Sequence, residues 1–392
     1  MTAPTLTLDP AATGSPFDAV LTRDFREIEG IFRHAGHQLR VVGGTVRDLV
    51  LGGGPPDTVN LCTDAPTAAM VDCLSDAGIR WLPTDLSYQT VTVLADANRY
   101  EITGLRYAAD PAREGEDPQR GFRTDASHRD FTFNALYLSV DGTLHDYFHG
   151  VADLKASRVR FIGDPDDRIA EDPVRIPRYF RFHGCLPGTQ FDTQIDAPII
   201  RNLDRLDNLS PERVWAEMKK ILATPRAAAV IRKMTLLGVA EAIGLPEGNR
   251  KLLQARRLAT DHPMALLISY LGHEADLDAL AARWKWSLDE RRLARLLVAH
   301  RTACPTLKQA QDAILDGGDR DHWAIALRMH DRPLHAEHVT TWKAPVCPLS
   351  GTDLLERGYR GSDLGAELDR LRGFWKASGY TLSREALLDR IG

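Results

Sequence analysis

The stretch Leu39-Arg40-Val41-Val42-Gly43-Gly44-Thr45-Val46-Arg47-Asp48 decides how this chain is read. Its first four residues have the β-branched, apolar character of a short strand, and the Gly pair that follows is a tight-turn signal. Residues 45–51 then predict a helix, stopped by Gly52-Gly53-Gly54-Pro55-Pro56. A strand passing through glycines into a helix leaves backbone N–H groups unblocked, and Arg47 on the first helical turn adds a guanidinium. That combination suits a phosphate chain. By itself a Gly pair at a strand end is more often only a turn, so the flanking pattern has to decide.

Upstream, residues 1–16 are rich in Pro, Thr and Ala without periodicity and predict a loose lead-in to an amphipathic helix over 18–35. Downstream, 58–62 predicts a strand, 65–77 a helix, and 88–94 and 99–105 two further strands, which makes this an α/β segment. Residues 107–122 are polar, with Pro and Gly, and predict a mobile surface loop before order resumes at 127–137. After Asp164-Pro165 the β signals fade into amphipathic helices over 166–183, 211–223, 226–243 and 252–260, and the remainder stays helical. Ser210-Pro211 places a capping hydroxyl and an N1 proline at one helix start.

The 392 residues, 43% hydrophobic and 26% charged, suffice for two or three domains with ordinary cores. No apolar run reaches the roughly 18 residues of a membrane span. The five cysteines (Cys62, Cys73, Cys185, Cys304, Cys347) are scattered and never in CxxC spacing, which argues against a disulfide framework or thiolate zinc site and favours a reducing cytoplasm. The net charge of −5 hides a gradient: residues 1–150 carry 12 basic and 21 acidic side chains (−9), 151–260 carry 19 and 14 (+5), and 261–392 carry 18 and 19 (−1). The cationic middle hints at a polyanion partner; solvated helix faces would give the same count.

Further blocks follow in a fixed order. After Val41-Val42-Gly43-Gly44-Thr45-Val46-Arg47-Asp48 and Leu51-Gly52 come Tyr100-Glu101-Ile102-Thr103-Gly104-Leu105-Arg106, then His128-Arg129-Asp130-Phe131-Thr132-Phe133-Asn134-Ala135-Leu136, then Glu171-Asp172-Pro173-Val174-Arg175 with Arg178. Together they closely resemble the class II tRNA nucleotidyltransferases, which are the CCA-adding enzymes and their bacterial poly(A) polymerase relatives, over about residues 36–245. The resemblance implies an α+β fold: a polymerase-β-type nucleotidyltransferase head over 1–160, a helical neck and body with the nucleotide-template helix and RNA contacts over 161–250, and a helical body and tail over 251–392. It implies that Gly43, Gly44 and Arg47 contact a triphosphate, and that Arg129 and Asp130 reach the nucleotide and ribose. Asp172, Arg175, Arg178 and Arg181, spaced i, i+3, i+6 and i+9 on a predicted helix, would read the base edge. CTP and ATP are the implied substrates or ligands, Mg2+ the implied metal, and tRNA or a tRNA-like RNA the implied partner. No membrane is implied, and the C-terminal helices are the place for a protein partner.

One block departs from the family. Nucleotidyl transfer uses metal ions held by closely spaced carboxylates, which the family supplies as Asp-x-Asp on a strand, two residues sharing a face. Here the chain reads Pro55-Pro56-Asp57-Thr58-Val59-Asn60-Leu61-Cys62-Thr63, so the two positions are Thr58 and Asn60 in one register, Asp57 and Val59 in the other. Neither keeps the pair. A residual catalytic and metal-binding set would be Asp57 with Glu101, given a bulge that turns Asp57 inward. Pro177, inside the predicted template helix, would kink it between Arg175 and Arg178. His145, Asp146 and His149 are spaced like metal ligands but lie in a block that is structural in the family, and Trp284 and Trp286 have a core role by default. Two functions remain open on these residues: RNA 3′-nucleotidyl transfer of the CCA-adding type with weak or absent turnover, and a catalytically inactive paralogue that binds RNA, nucleotide or protein.

Overall fold

The computed structural model describes residues 5–7, 16–54, 56–85, 89–95, 98–105, 118–271 and 275–391. Among them are eight strands: β1 (Thr5–Thr7), β2 (Leu39–Val42), β3 (Thr58–Thr63), β4 (Trp81–Asp85), β5 (Thr90–Leu94), β6 (Arg99–Gly104), β7 (Leu136–Leu138) and β8 (Thr143–Asp146). They form one sheet in the order β1-β8-β7-β2-β3-β6-β5-β4. Every neighbouring pair is antiparallel except β3 with β6, which runs parallel from Thr58 beside Arg99 to Thr63 beside Gly104. Strand β2 is buried along its whole length, whereas β6 alternates, with Tyr100 and Ile102 turned into the core and Arg99, Glu101 and Thr103 toward the other face. The loose lead-in expected over 1–16 therefore holds an edge strand, β1, paired with β8.

Helix α1 (Arg23–His34) begins where the Thr22 hydroxyl accepts from Phe25 N, and buries Phe25, Ile28 and Phe32 at helical spacing. It packs on α3 (Thr67–Asp76), with α2 (Gly44–Val50) between them in sequence. The helix expected over 18–35 thus starts later, after a 3-10 turn at Pro16–Ala19. Helix α4 (Pro118–Ser127) takes up the end of the stretch read as a surface loop, and 106–117 lie outside the described residues. Helix α5 (Gly150–Lys155) follows β8, its first N–H groups held by the buried Asp146 carboxylate, which accepts from Gly150 N at 2.7 Å and Val151 N at 3.0 Å. His145 bonds Ser139 at 2.8 Å. That block is structural.

The helix expected over 166–183 is two helices, α6 (Pro165–Glu171) and α7 (Arg175–Cys185), separated at Asp172-Pro173-Val174. Pro177 is consequently the third residue of α7, where a backbone N–H has no intrahelical partner to lose. The expected kink between Arg175 and Arg178 is absent. A mid-helix proline would cost about 3 kcal/mol, and its removal would stabilise the chain. Pro177→Ala should instead destabilise by about 1–2 kcal/mol, through the lost burial of two ring methylenes and the freer unfolded chain, read as a lowered urea midpoint.

Helices α8 (Asp196–Arg201), α9 (Pro211–Leu222), α10 (Ala227–Leu236) and α11 (Val239–Ala242) complete this part, the last two divided where Gly238 takes φ 79°. The chain separates into two compact units, one to Leu245 and one from Pro246. Among the described residues the second unit holds helices and a single isolated bridge, Gly248 with Leu271. Trp284 and Trp286 are buried in it. No helix of the described residues is long and apolar enough to cross a membrane.

Candidate active site

Strand β2 delivers the chain to Gly43, whose φ of 71° and ψ of −127° belong to a region that side chains avoid. Its N–H donates to Leu136 O of β7 at 3.0 Å, tying the turn to the sheet. A Cβ here would also stand 3.1 Å from Arg129 Nη1. Gly43→Ala should cost about 1–3 kcal/mol of stability, because the backbone is strained and Arg129 must move; thermal melts would read the loss.

The turn opens on a cavity of about 810 Å³, lined by Gly43, Gly44, Arg47, Arg129, Asp130, Asp172, Arg175, Arg178 and Arg181 together with Asp125, His128, Asn134, Thr90 and Thr103. Nine residues singled out in three separate sequence blocks thus share one wall. Helix α2 has only seven residues, and the positive groups on the cavity wall are guanidiniums.

Each guanidinium has a carboxylate of the chain itself within 3.0 Å. Arg47 meets Asp48 at 2.8 Å and also donates to Asn134 Oδ1 at 2.7 Å. Arg129 meets Asp125 at 3.0 Å, and the Tyr137 hydroxyl donates to the same carboxylate at 2.6 Å. Asp130, buried, accepts from Phe131 N and Asn134 Nδ2, both at 2.8 Å, and pairs with Arg178 at 2.9 Å. Arg175 donates to Glu171 and to the carbonyls of Arg168 and His128, all at 2.8 Å, so its guanidinium is turned against α6. Asp172 lies at the break between α6 and α7 and takes Arg213 of α9 on both oxygens, at 2.8 and 3.1 Å. Arg181 pairs with Glu217 at 2.8 Å and lies over the Phe182 ring. Burial pulls the Arg181 pKa down, and the nearby Arg178 and Arg47 charges push the same way against Glu217. An anion entering the cavity would relieve that repulsion.

Asp57 and Glu101 do not line this cavity. Glu101 lies on β6 directly beside Asn60 of β3 and Thr92 of β5, with Arg99 3.4 Å from its carboxylate. By the pleat, Asn60 and Thr58 share its face and Val59 is buried on the other, so Thr58 and Asn60 are the residues that stand where a metal-binding pair would have to be. The six β3–β6 pairs run without a register shift, so β3 carries no bulge, and Asp57 stands on an exposed bend before the strand. Glu101 with an amide and a hydroxyl is one anionic ligand, a poor fit to the divalent ions of nucleotidyl transfer. Among the described residues the one cluster of three His, Cys, Asp or Glu ligand atoms is Asp289, Asp319 and His322, in the second unit.

Sequence reading missed Asp125 and Asn134 as members of the site. Asn134 had a signal, being a polar residue at the end of the apolar run Phe131-Thr132-Phe133 and buried in spite of it. Asp125 lies in α4, in a stretch whose composition does not mark it out.

A mixed sheet whose glycine turn, central strands and following helix surround an arginine-lined cavity defines a polymerase-β-type nucleotidyltransferase head with a helical extension. The chain matches the Poly A polymerase head domain over residues 39–160, and the probable RNA and SrmB- binding site of polymerase A over 188–252. It is 34% identical over 402 residues to the mitochondrial CCA tRNA nucleotidyltransferase 1 of Mus musculus, covering 96% of this chain and 91% of that one. Among solved structures, the Bacillus stearothermophilus CCA-adding enzyme in complex with CTP shares the fold with a TM-score of 0.71 at 21% identity, over 96% of this chain and 97% of that one. The Thermotoga maritima CCA-adding enzyme complexed with tRNA gives 0.59 at 18% identity, over 95% and 96%. The chain belongs to the class II tRNA nucleotidyltransferase and poly(A) polymerase family.

Proposed function

We propose that this chain binds CTP or ATP in the arginine-lined cavity and the 3′ end of a tRNA or tRNA-like RNA along its helical part, with CCA addition slow or absent. The observation that carries this reading is the contrast within one sheet: the glycine turn and five arginines stand together, while Thr58 and Asn60 flank the lone carboxylate Glu101. The triphosphate would meet Gly43, Gly44 and Arg47, the ribose Arg129 and Asp130, and the base edge Asp172 with Arg175, Arg178 and Arg181. The full-length likeness to a CCA tRNA nucleotidyltransferase supports the choice of nucleotides and RNA. No step through a metal is assigned to Asp57 or Glu101, because the donors beside Glu101 do not make a catalytic metal pair.

The test is incorporation of labelled CTP and ATP into tRNA lacking its 3′ CCA, with Mg2+ or Mn2+ present, beside equilibrium binding of the same nucleotides. Binding with little or no incorporation is the expected result. Incorporation at the rate of an ordinary polymerase would mean that Asp57 and Glu101 assemble a working metal site, and would overturn the reading. Absence of nucleotide binding would overturn it from the other side.

A further inference from the structure

Asn134 lines the cavity, in a short 3-10 turn (Thr132–Asn134) between α4 and β7, and its side chain makes two hydrogen bonds of opposite sense. Its Oδ1 accepts from Arg47 Nη1 at 2.7 Å, and its Nδ2 donates to Asp130 Oδ1 at 2.8 Å. The other Asp130 oxygen faces Arg178 of α7 at 2.9 Å. A continuous polar chain therefore runs from the helix after the glycine turn, through Asn134 and Asp130, to the helix that carries the base-reading arginines. The carboxamide has one workable orientation. Turned over, it would set its NH2 against a guanidinium and its carbonyl against a carboxylate. Neither a hydroxyl, too short to span both partners, nor a carboxylate, which has no proton to give Asp130, would complete the chain.

We propose that Asn134 is a positioning residue that couples the two ends of the nucleotide site, so that a triphosphate settling on Arg47 fixes Asp130 and Arg178 for the nucleoside. The coupling rests on the reading of this cavity as the nucleotide site. Its physical basis is that Arg47 is shared. An anion that replaces Asp48 on Arg47 Nε and Nη2 leaves Nη1 donating to Asn134, so it pins the guanidinium that orients Asn134 and, through Asn134, the orientation of Asp130 toward Arg178. Asn134 and Asp130 are buried, Arg47 and Arg178 half-buried, and each touches the next, so such an effect can pass between the two ends without any larger movement. Linkage makes the effect reciprocal.

The experiment uses the full chain and two fragments of CTP, cytidine and inorganic tripolyphosphate, followed by NMR titration. Saturating tripolyphosphate should tighten cytidine binding about fivefold or more in the unaltered chain. In Asn134→Ala that factor should fall to one, even where each fragment alone still binds. A merely structural residue would weaken both fragments and leave the factor in place. Should Asn134→Ala fail to fold, the near-isosteric Asn134→Asp keeps an acceptor for Arg47 but loses the donor to Asp130, and should lose the factor likewise. A factor of one in the unaltered chain, or one that survives both substitutions, overturns the coupling. If the unaltered chain binds CTP in neither whole nor fragment form, it is the assignment of the nucleotide site that fails instead.

Discussion

A chain carrying Thr58→Asp and Asn60→Asp together should extend tRNA lacking its 3′ CCA roughly 10³-fold or more faster than the unaltered chain when Mg2+ or Mn2+ is present. The two positions alternate on β3, so their side chains share a face, and Asn60 lies in register with Glu101 on the parallel neighbour β6. Carboxylates at both would bring the anionic oxygens there from one group to three, the donor chemistry that hard divalent cations select. Lewis-acid stabilisation of a phosphoryl transition state is worth several kcal/mol, and about 4 kcal/mol corresponds to the rate factor expected. The same substitutions carry a penalty without metal, because three carboxylates side by side repel one another. The variant should therefore melt below the unaltered chain in chelator and recover as Mn2+ is added, while the unaltered chain is indifferent to Mn2+. A variant that gains the Mn2+ response yet incorporates nothing would locate the loss of turnover away from the metal ligands.

Gly150→Ala should cost about 3 kcal/mol or more and remove nucleotide binding with it, although Gly150 does not line the cavity. Gly150 opens α5 against the turn that holds Asn134. A Cβ on it would stand 2.7 Å from the Thr132 carbonyl carbon and 2.8 Å from Phe133 Cα. Those are backbone atoms of fully buried residues, with no flexible side chain to yield. Nor can α5 retreat, since the Asp146 carboxylate holds the N–H groups of Gly150 and Val151. The methyl would therefore push the Thr132–Asn134 turn into the cavity wall. Urea unfolding and CTP titration of one preparation would check both effects. A loss under about 1 kcal/mol would show that the turn can shift, and would break the argued connection between this glycine and the site.

The sequence made the site legible where its residues are bound to local geometry. Gly43 needs a backbone that only glycine adopts, so the strand–turn–helix was readable from ten residues, and the blocks of Arg129, Asp130 and Arg178 fall on the same cavity. Long-range pairing was not readable. Whether Thr58 and Asn60 or Asp57 and Val59 face Glu101 depends on β3 lying parallel to β6, forty residues on, and no periodicity within β3 reports its partner. The template helix failed for a different reason. Asp172, Arg175, Arg178 and Arg181 keep helical spacing across a break, so periodicity alone joined two helices that Pro173 separates, and misread Pro177 as a kink. Asp125 was invisible because its role comes from Arg129, just past the end of α4, and Tyr137 on β7, contacts that only the fold creates.

The pairing of every cavity guanidinium with a carboxylate bears on how a ligand arrives. Arg47, Arg129, Arg175, Arg178 and Arg181 lie 2.8–3.0 Å from Asp48, Asp125, Glu171, Asp130 and Glu217, so at distances beyond a Debye length of roughly 8 Å the wall presents dipoles and not a funnel of positive potential. On the proposed reading a nucleotide would meet the site by ordinary diffusive encounter, at rates that change little with ionic strength, and its negative oxygens would be taken up only on contact, as arginines exchange internal partners for external ones. Affinity in such a cavity resides in how slowly the ligand leaves.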